Sequence, residues 1–70
     1  SLGDHKQAVI YHQKVLSICE RLQISYGIAL SKGNIGEELN YLGKHQEALT
    51  YLTSSIAVAK ENGFTKLLGN

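Results

Sequence analysis

The segment Leu2-Gly3-Asp4-His5-Lys6-Gln7-Ala8-Val9 returns 40 residues later as Leu42-Gly43-Lys44-His45-Gln46-Glu47-Ala48-Leu49, and Tyr11 returns as Tyr51. Leu, Gly, His, Ala and Tyr are identical in the two copies, and Val9/Leu49, Leu16/Ile56 and Ile18/Val58 are conservative exchanges. Repeats of this length belong to solenoids, chains whose units bury their apolar faces only against neighbouring units. Such a chain is built to present a surface, and the functional question becomes what that surface holds.

Seventy residues make one small domain at most, near the lower limit at which a single core supports independent folding. The chain has no Pro, so its seven Gly residues must supply the helix stops. Net charge is +1 with Lys and Arg scattered along the chain. Nucleic acid would call for a clustered basic stripe, so it is not an expected partner. No apolar run approaches the ~20 residues that span a bilayer, and no signal-peptide pattern opens the chain. A membrane is therefore not an expected partner, and the expected setting is cytoplasmic. The opening Ser1-Leu2-Gly3 reads as the interior of a longer chain. The lone Cys19 excludes an internal disulfide and a cysteine-based zinc site. Its repeat partner is Ala59, which marks it as a small packed residue.

Helical periodicity divides the chain into three helices and the start of a fourth. The first is expected from about residue 4 to residue 22. Asp4 is its expected cap, Gln7 completes a capping-box pattern, and Ala8, His12, Val15, Leu16, Cys19 and Leu22 form the inner face. The second is expected from about residue 25 to residue 41, with Ile28, Ile35, Leu39 and Leu42 inward. Gly27, Gly33 and Gly36 lie inside it, each costing up to ~1 kcal/mol against Ala. For Gly36 the compensation is a close helix approach, with Ala8 and Ala48 as the expected counterparts. Gly43 opens a tight turn. The third helix runs from about residue 45 to residue 62, with Ala48, Leu49, Leu52, Ser55, Ile56 and Ala59 inward, and Asn62-Gly63 stops it. Phe64 onward is expected to begin the fourth. Nothing alternates with period two over a useful length, so no strand is expected.

Asn34-Ile35-Gly36, then Leu39, Tyr41, Leu42-Gly43, Glu47-Ala48-Leu49 and Leu52, resembles a tetratricopeptide repeat. The resemblance implies an all-α, right-handed solenoid of helical hairpins. Residues 2–24 would close one repeat with its second helix, residues 25–63 would form one complete helix pair, and residues 64–70 would begin the next. There are departures. His5 and His45 stand where the family usually has Tyr, Lys32 replaces an aromatic, and the closing Pro is missing. The period of 40, against about 34 for the common repeat, is similar to the long-repeat branch. That branch includes the G-protein-signalling modulators of the Partner-of-Inscuteable type and many bacterial regulators. The stretch Tyr26-Gly27-Ile28-Ala29 looks most like the bacterial versions.

The resemblance also implies a site. In this family the first helix of each repeat lines a concave groove, which here would place Leu30, Gly33, Asn34, Glu37, Asn40 and Tyr41 against a protein or extended peptide. Asn34 matches a position whose amide often grips a peptide backbone; the alternative is a solvated or helix-bridging Asn. Glu37 would repel an acidic C-terminus. Competing chemistry finds little support. His5, His12 and Cys19 share a helix face, but seven residues rise roughly 10 Å, too far for one metal ion. Glu37 and Glu38 are adjacent and diverge around the helix. Gly33-Asn34-Ile35-Gly36 lies in a helical pattern with no strand before it, unlike a phosphate loop. No metal, cofactor or catalytic residue is expected. The expected function is a scaffold for protein or peptide interaction. Alternatives are a peptide-sensing module that controls an attached output domain, or a structural element that stacks end to end.

Overall fold

The computed structural model describes residues 1–64. Three α-helices follow one another: α1 (Leu2–Leu22), α2 (Ser25–Tyr41) and α3 (His45–Glu61). There is no strand among the described residues. The expected fourth helix falls on residues that, after Phe64, lie outside the described ones.

The turns explain why successive helices run antiparallel. Gln23, Gly43 and Gly63 take the left-handed conformation, at φ 56°, 78° and 73°. These positions are 20 residues apart, half of the repeat. At each, the next amide reaches back to a carbonyl of the finished helix: Ile24 to Cys19 at 2.9 Å, Lys44 to Leu39 at 2.8 Å, Phe64 to Ala59 at 2.7 Å. This 6→1 closure satisfies carbonyls that a helix end leaves orphaned and reverses the chain within three residues. The sequence announces it at Gly43 and Gly63. At Gln23 it does not, because only the backbone register marks the site.

The start of α1 differs from expectation. Ser1 is the cap: its hydroxyl accepts the Asp4 amide at 3.3 Å, and the Asp4 carboxylate accepts from the Ser1 nitrogen at 3.4 Å. Asp4 is thus the third-residue partner of a capping box, not the cap. Gly3 lies inside the helix, unlike its repeat equivalent Gly43.

The core is a cluster of Leu16, Ile35, Leu39 and Ala48, with Val9, Ile28 and Tyr51 packed on its edge. Ile35 is wholly buried. α2 is the central element. It packs α1 on one side and α3 on the other, and its glycines are where it does so closely. A Cβ at Gly36 would stand 2.6 Å from Leu52 Cγ and 3.2 Å from the Ala48 carbonyl oxygen, and a Cβ at Gly27 would collide with Cys19 Sγ. Ala48 is therefore a counterpart of Gly36 as expected, but Leu52 takes the place expected of Ala8. Ala29, Ala48 and Ala59 are fully buried at this seam. Ser55 Oγ donates to the Ala29 carbonyl at 2.6 Å inside it.

Two expected inner residues of α3 are outside. Leu49 is 62% and Ile56 42% exposed. Both sit roughly 80–100° around α3 from Ala48 at 100° per residue. Their repeat equivalents on α1, Val9 and Leu16, pack on the helix that follows, α2, so this flank of α3 is patterned to meet a following helix and not α2. Leu22, at the last position of α1, is exposed as well.

Candidate functional site

The surface is built by subtraction. Around α2, Ile35 and Leu39 point into the core. Gly27 and Glu38 meet α1, while Ala29, Lys32 and Gly36 meet α3. The arc that remains is centred on Leu30 and Glu37, seven residues apart and therefore about 20° apart around the helix. Leu30 is 41% exposed and Glu37 is exposed. Asn34 and Tyr41 border the arc on the α1 side, and Gly33 and Asn40 border it on the α3 side.

Each border residue is held differently. Tyr41 is open, at 67% exposed. Its ring stacks on His5 with centroids 4.5 Å apart and planes 5° from parallel. His5 Nδ1 lies 2.5 Å from the Glu38 carboxylate, an ion pair whenever the ring is protonated. Glu38 therefore fixes the imidazole, and the imidazole fixes the phenol. On the other border, Asn40 Oδ1 lies 2.9 Å from His45 Nδ1. The repeat-equivalent residues His5 and His45 thus both reach the C-terminal end of α2, one from each neighbouring helix. Asn34 is partly buried. A Cβ at Gly33 would lie 3.3 Å from Ser55 Oγ, so this position is turned towards α3.

Sequence reasoning missed Tyr26. It precedes Leu30 by four residues and so shares the arc; it is 52% exposed, with its ring edge-to-face to Phe64 at 5.4 Å. That spacing was a usable signal. The His5–Tyr41 stack had no signal, since it joins residues 36 apart on different helices.

The face thus offers two tyrosines and a leucine beside one carboxylate and two amides. Tyr pairs a large apolar area with a polar tip at small conformational cost, which suits it to interfaces. Among the described residues no cluster of three or more metal-ligating side chains forms. No described helix is long and apolar enough to cross a membrane.

In comparison with known proteins, the family model described as "Tetratricopeptide repeat" matches residues 1–61. No curated protein and no solved structure matches the chain.

Proposed function

Since the chain belongs to the tetratricopeptide repeat family, whose repeats mediate protein–protein interactions, we propose that it binds a partner protein or extended peptide along the open face of α2. Leu30, Gly33, Asn34, Glu37, Asn40 and Tyr41 form this groove surface, and Tyr26 joins them. The observation that carries the reading is the exposure of Tyr26, Leu30 and Tyr41 on the arc of α2 left over by α1 and α3. Three large apolar side chains on the central, doubly braced helix form a firm platform that costs little to order on binding.

Specificity comes from the polar border. The Asn34 and Asn40 amides can donate and accept at once, which suits a peptide backbone. Glu37 disfavours acidic ligands, so a neutral or basic segment fits best.

The test uses two variants of the full chain. Leu30→Ser removes an exposed side chain from the centre of the face, and Lys14→Ala changes an exposed residue of α1. Partners captured by the parent chain are compared with those captured by each variant, with circular dichroism reporting helicity. The expected result is that Leu30→Ser loses a partner that Lys14→Ala keeps, at equal helicity. Loss with Lys14→Ala and retention with Leu30→Ser would move the site to the other side of the molecule.

A further inference from the structure

Between α2 and α3, away from the open face, lies a cleft of about 130 Å³ lined by Lys32, Thr50, Tyr51 and Ser54. Its walls are mostly carbon. The Lys32 ammonium is partly buried and donates to Ser54 Oγ at 2.7 Å. The ion pairs among the described residues are Ser1–Asp4 and His5–Glu38, so Lys32 has no carboxylate partner among them. Thr50 Oγ1 donates back to the Gln46 carbonyl at 3.3 Å. Glu47 shares this side of α3 one turn before Tyr51 but does not pair with Lys32.

The half-buried ammonium has three donors and one protein acceptor, the neutral Ser54 hydroxyl; a charged acceptor would make the stronger bond. The cleft beside it has room. At about 130 Å³ it is open to solvent on one side, so a small ligand can enter without a rearrangement of the helices. Carbon walls with a single ammonium suit a ligand with one negative end and a small apolar body. Inorganic phosphate offers the charge but wastes the walls.

The geometry points to a binding site for a small carboxylate, with its charged end on Lys32 Nζ and Ser54 Oγ and its apolar body against the Tyr51 ring. This site is separate from the open face of α2 and does not depend on it. The carboxylate has two sources: a free small acid, or the glutamate side chain of a bound peptide.

The experiment is an amide-resolved NMR titration of the full chain with sodium benzoate, with neutral benzamide and inorganic phosphate in parallel. A blocked peptide carrying a single glutamate is a further arm, compared with its glutamine counterpart. With benzoate, saturable shifts at Lys32, Thr50, Tyr51 and Ser54 are expected, with Kd on the order of 1 mM for one charge pair and one ring. Lys32→Gln should weaken binding about tenfold, as loss of a charge-assisted bond does. Lys32→Arg should retain it, and Glu47→Gln should strengthen it by removing a competing charge. Response to benzoate alone assigns the free acid, response to the glutamate peptide alone assigns the side chain, and either supports the site. Equal shifts with benzamide or phosphate, shifts unchanged in Lys32→Gln at native helicity, or no saturable shift with benzoate or the glutamate peptide would overturn it.

Discussion

Gln23 holds a backbone conformation that its two equivalents assign to glycine. Its φ of 56° matches the turns at Gly43 and Gly63, and its neighbour Ile24 makes the same closing bond to Cys19. A side chain in the left-handed region costs of order 1 kcal/mol, which glycine avoids at some entropic expense. Gln23→Gly is therefore expected to stabilise the chain by about 1 kcal/mol. Urea denaturation checks it through a raised midpoint at unchanged slope; a lowered midpoint would mean that Gln23 contributes something its turn geometry does not show. This residue also marks where the sequence stops being legible. A glycine in a turn announces positive φ, whereas a glutamine there is identified only when its register with Gly43 and Gly63 is known. The same holds for the cap of α1, where the pattern of Asp4 and Gln7 is the expectation and the geometry gives Ser1 and Asp4.

Elements were easier to read than contacts. Apolar spacing and the two Gly stops locate all three helices to within two residues, because period and punctuation are local. Which flank of α3 is buried is not local. Ala48, Leu52, Ser55 and Ala59 face α2, while Leu49 and Ile56 do not, because these two lie on the flank by which α1, through Val9 and Leu16, meets its following helix. Small residues set how closely α2 and α3 approach. Gly36 sets that approach. A methyl group there meets Leu52 at 2.6–2.7 Å and the Ala48 carbonyl at 3.2 Å. Gly36→Ala gains up to ~1 kcal/mol of helix propensity but overpacks the seam at a typical cost of ~1–3 kcal/mol. The expected outcome is a net loss of about 1 kcal/mol, read as a melting point lower by roughly 4–8 °C for a chain of this size. Gly36→Leu is expected to abolish the packing. Adding Leu52→Ala should recover part of the Gly36→Ala loss, as coupled neighbours do. A Gly36→Ala chain that melts higher than the parent would show that the helices are free to move apart at little cost. The candidate face was legible only in part. The resemblance pointed to Leu30, Glu37 and Tyr41, but Tyr41 owes its setting to His5 and Glu38, and those partners come from the packing of α1 on α2.

At the scale of the molecule, the repeat says which open surfaces match buried ones. Leu49 and Ile56 correspond to Val9 and Leu16, which pack with the α2 residues Ile28, Ile35 and Leu39 in the core. On α1, Tyr11, Ile18 and Leu22 are exposed. Their equivalents on α3 and at its C-cap are Tyr51, Val58 and Asn62, of which Tyr51 packs against the core and Val58 is partly buried. The chain thus carries, on two opposite sides, apolar surface of the kind that its own interior buries. Surfaces of that kind favour association, and head-to-tail contacts between unlike faces build rings where the rotation closes and open stacks where it does not. We propose on these grounds that the chain is a unit of an open helical stack and not a domain closed on itself. Sedimentation velocity of the 70-residue chain across a hundredfold range of concentration tests it most directly, beside a Leu49→Asp/Ile56→Asp variant. The expected result is a mass that rises with concentration for the parent, and a monomer of unchanged helicity for the variant. A parent that stays monomeric at every concentration and melts sharply at high temperature would contradict it.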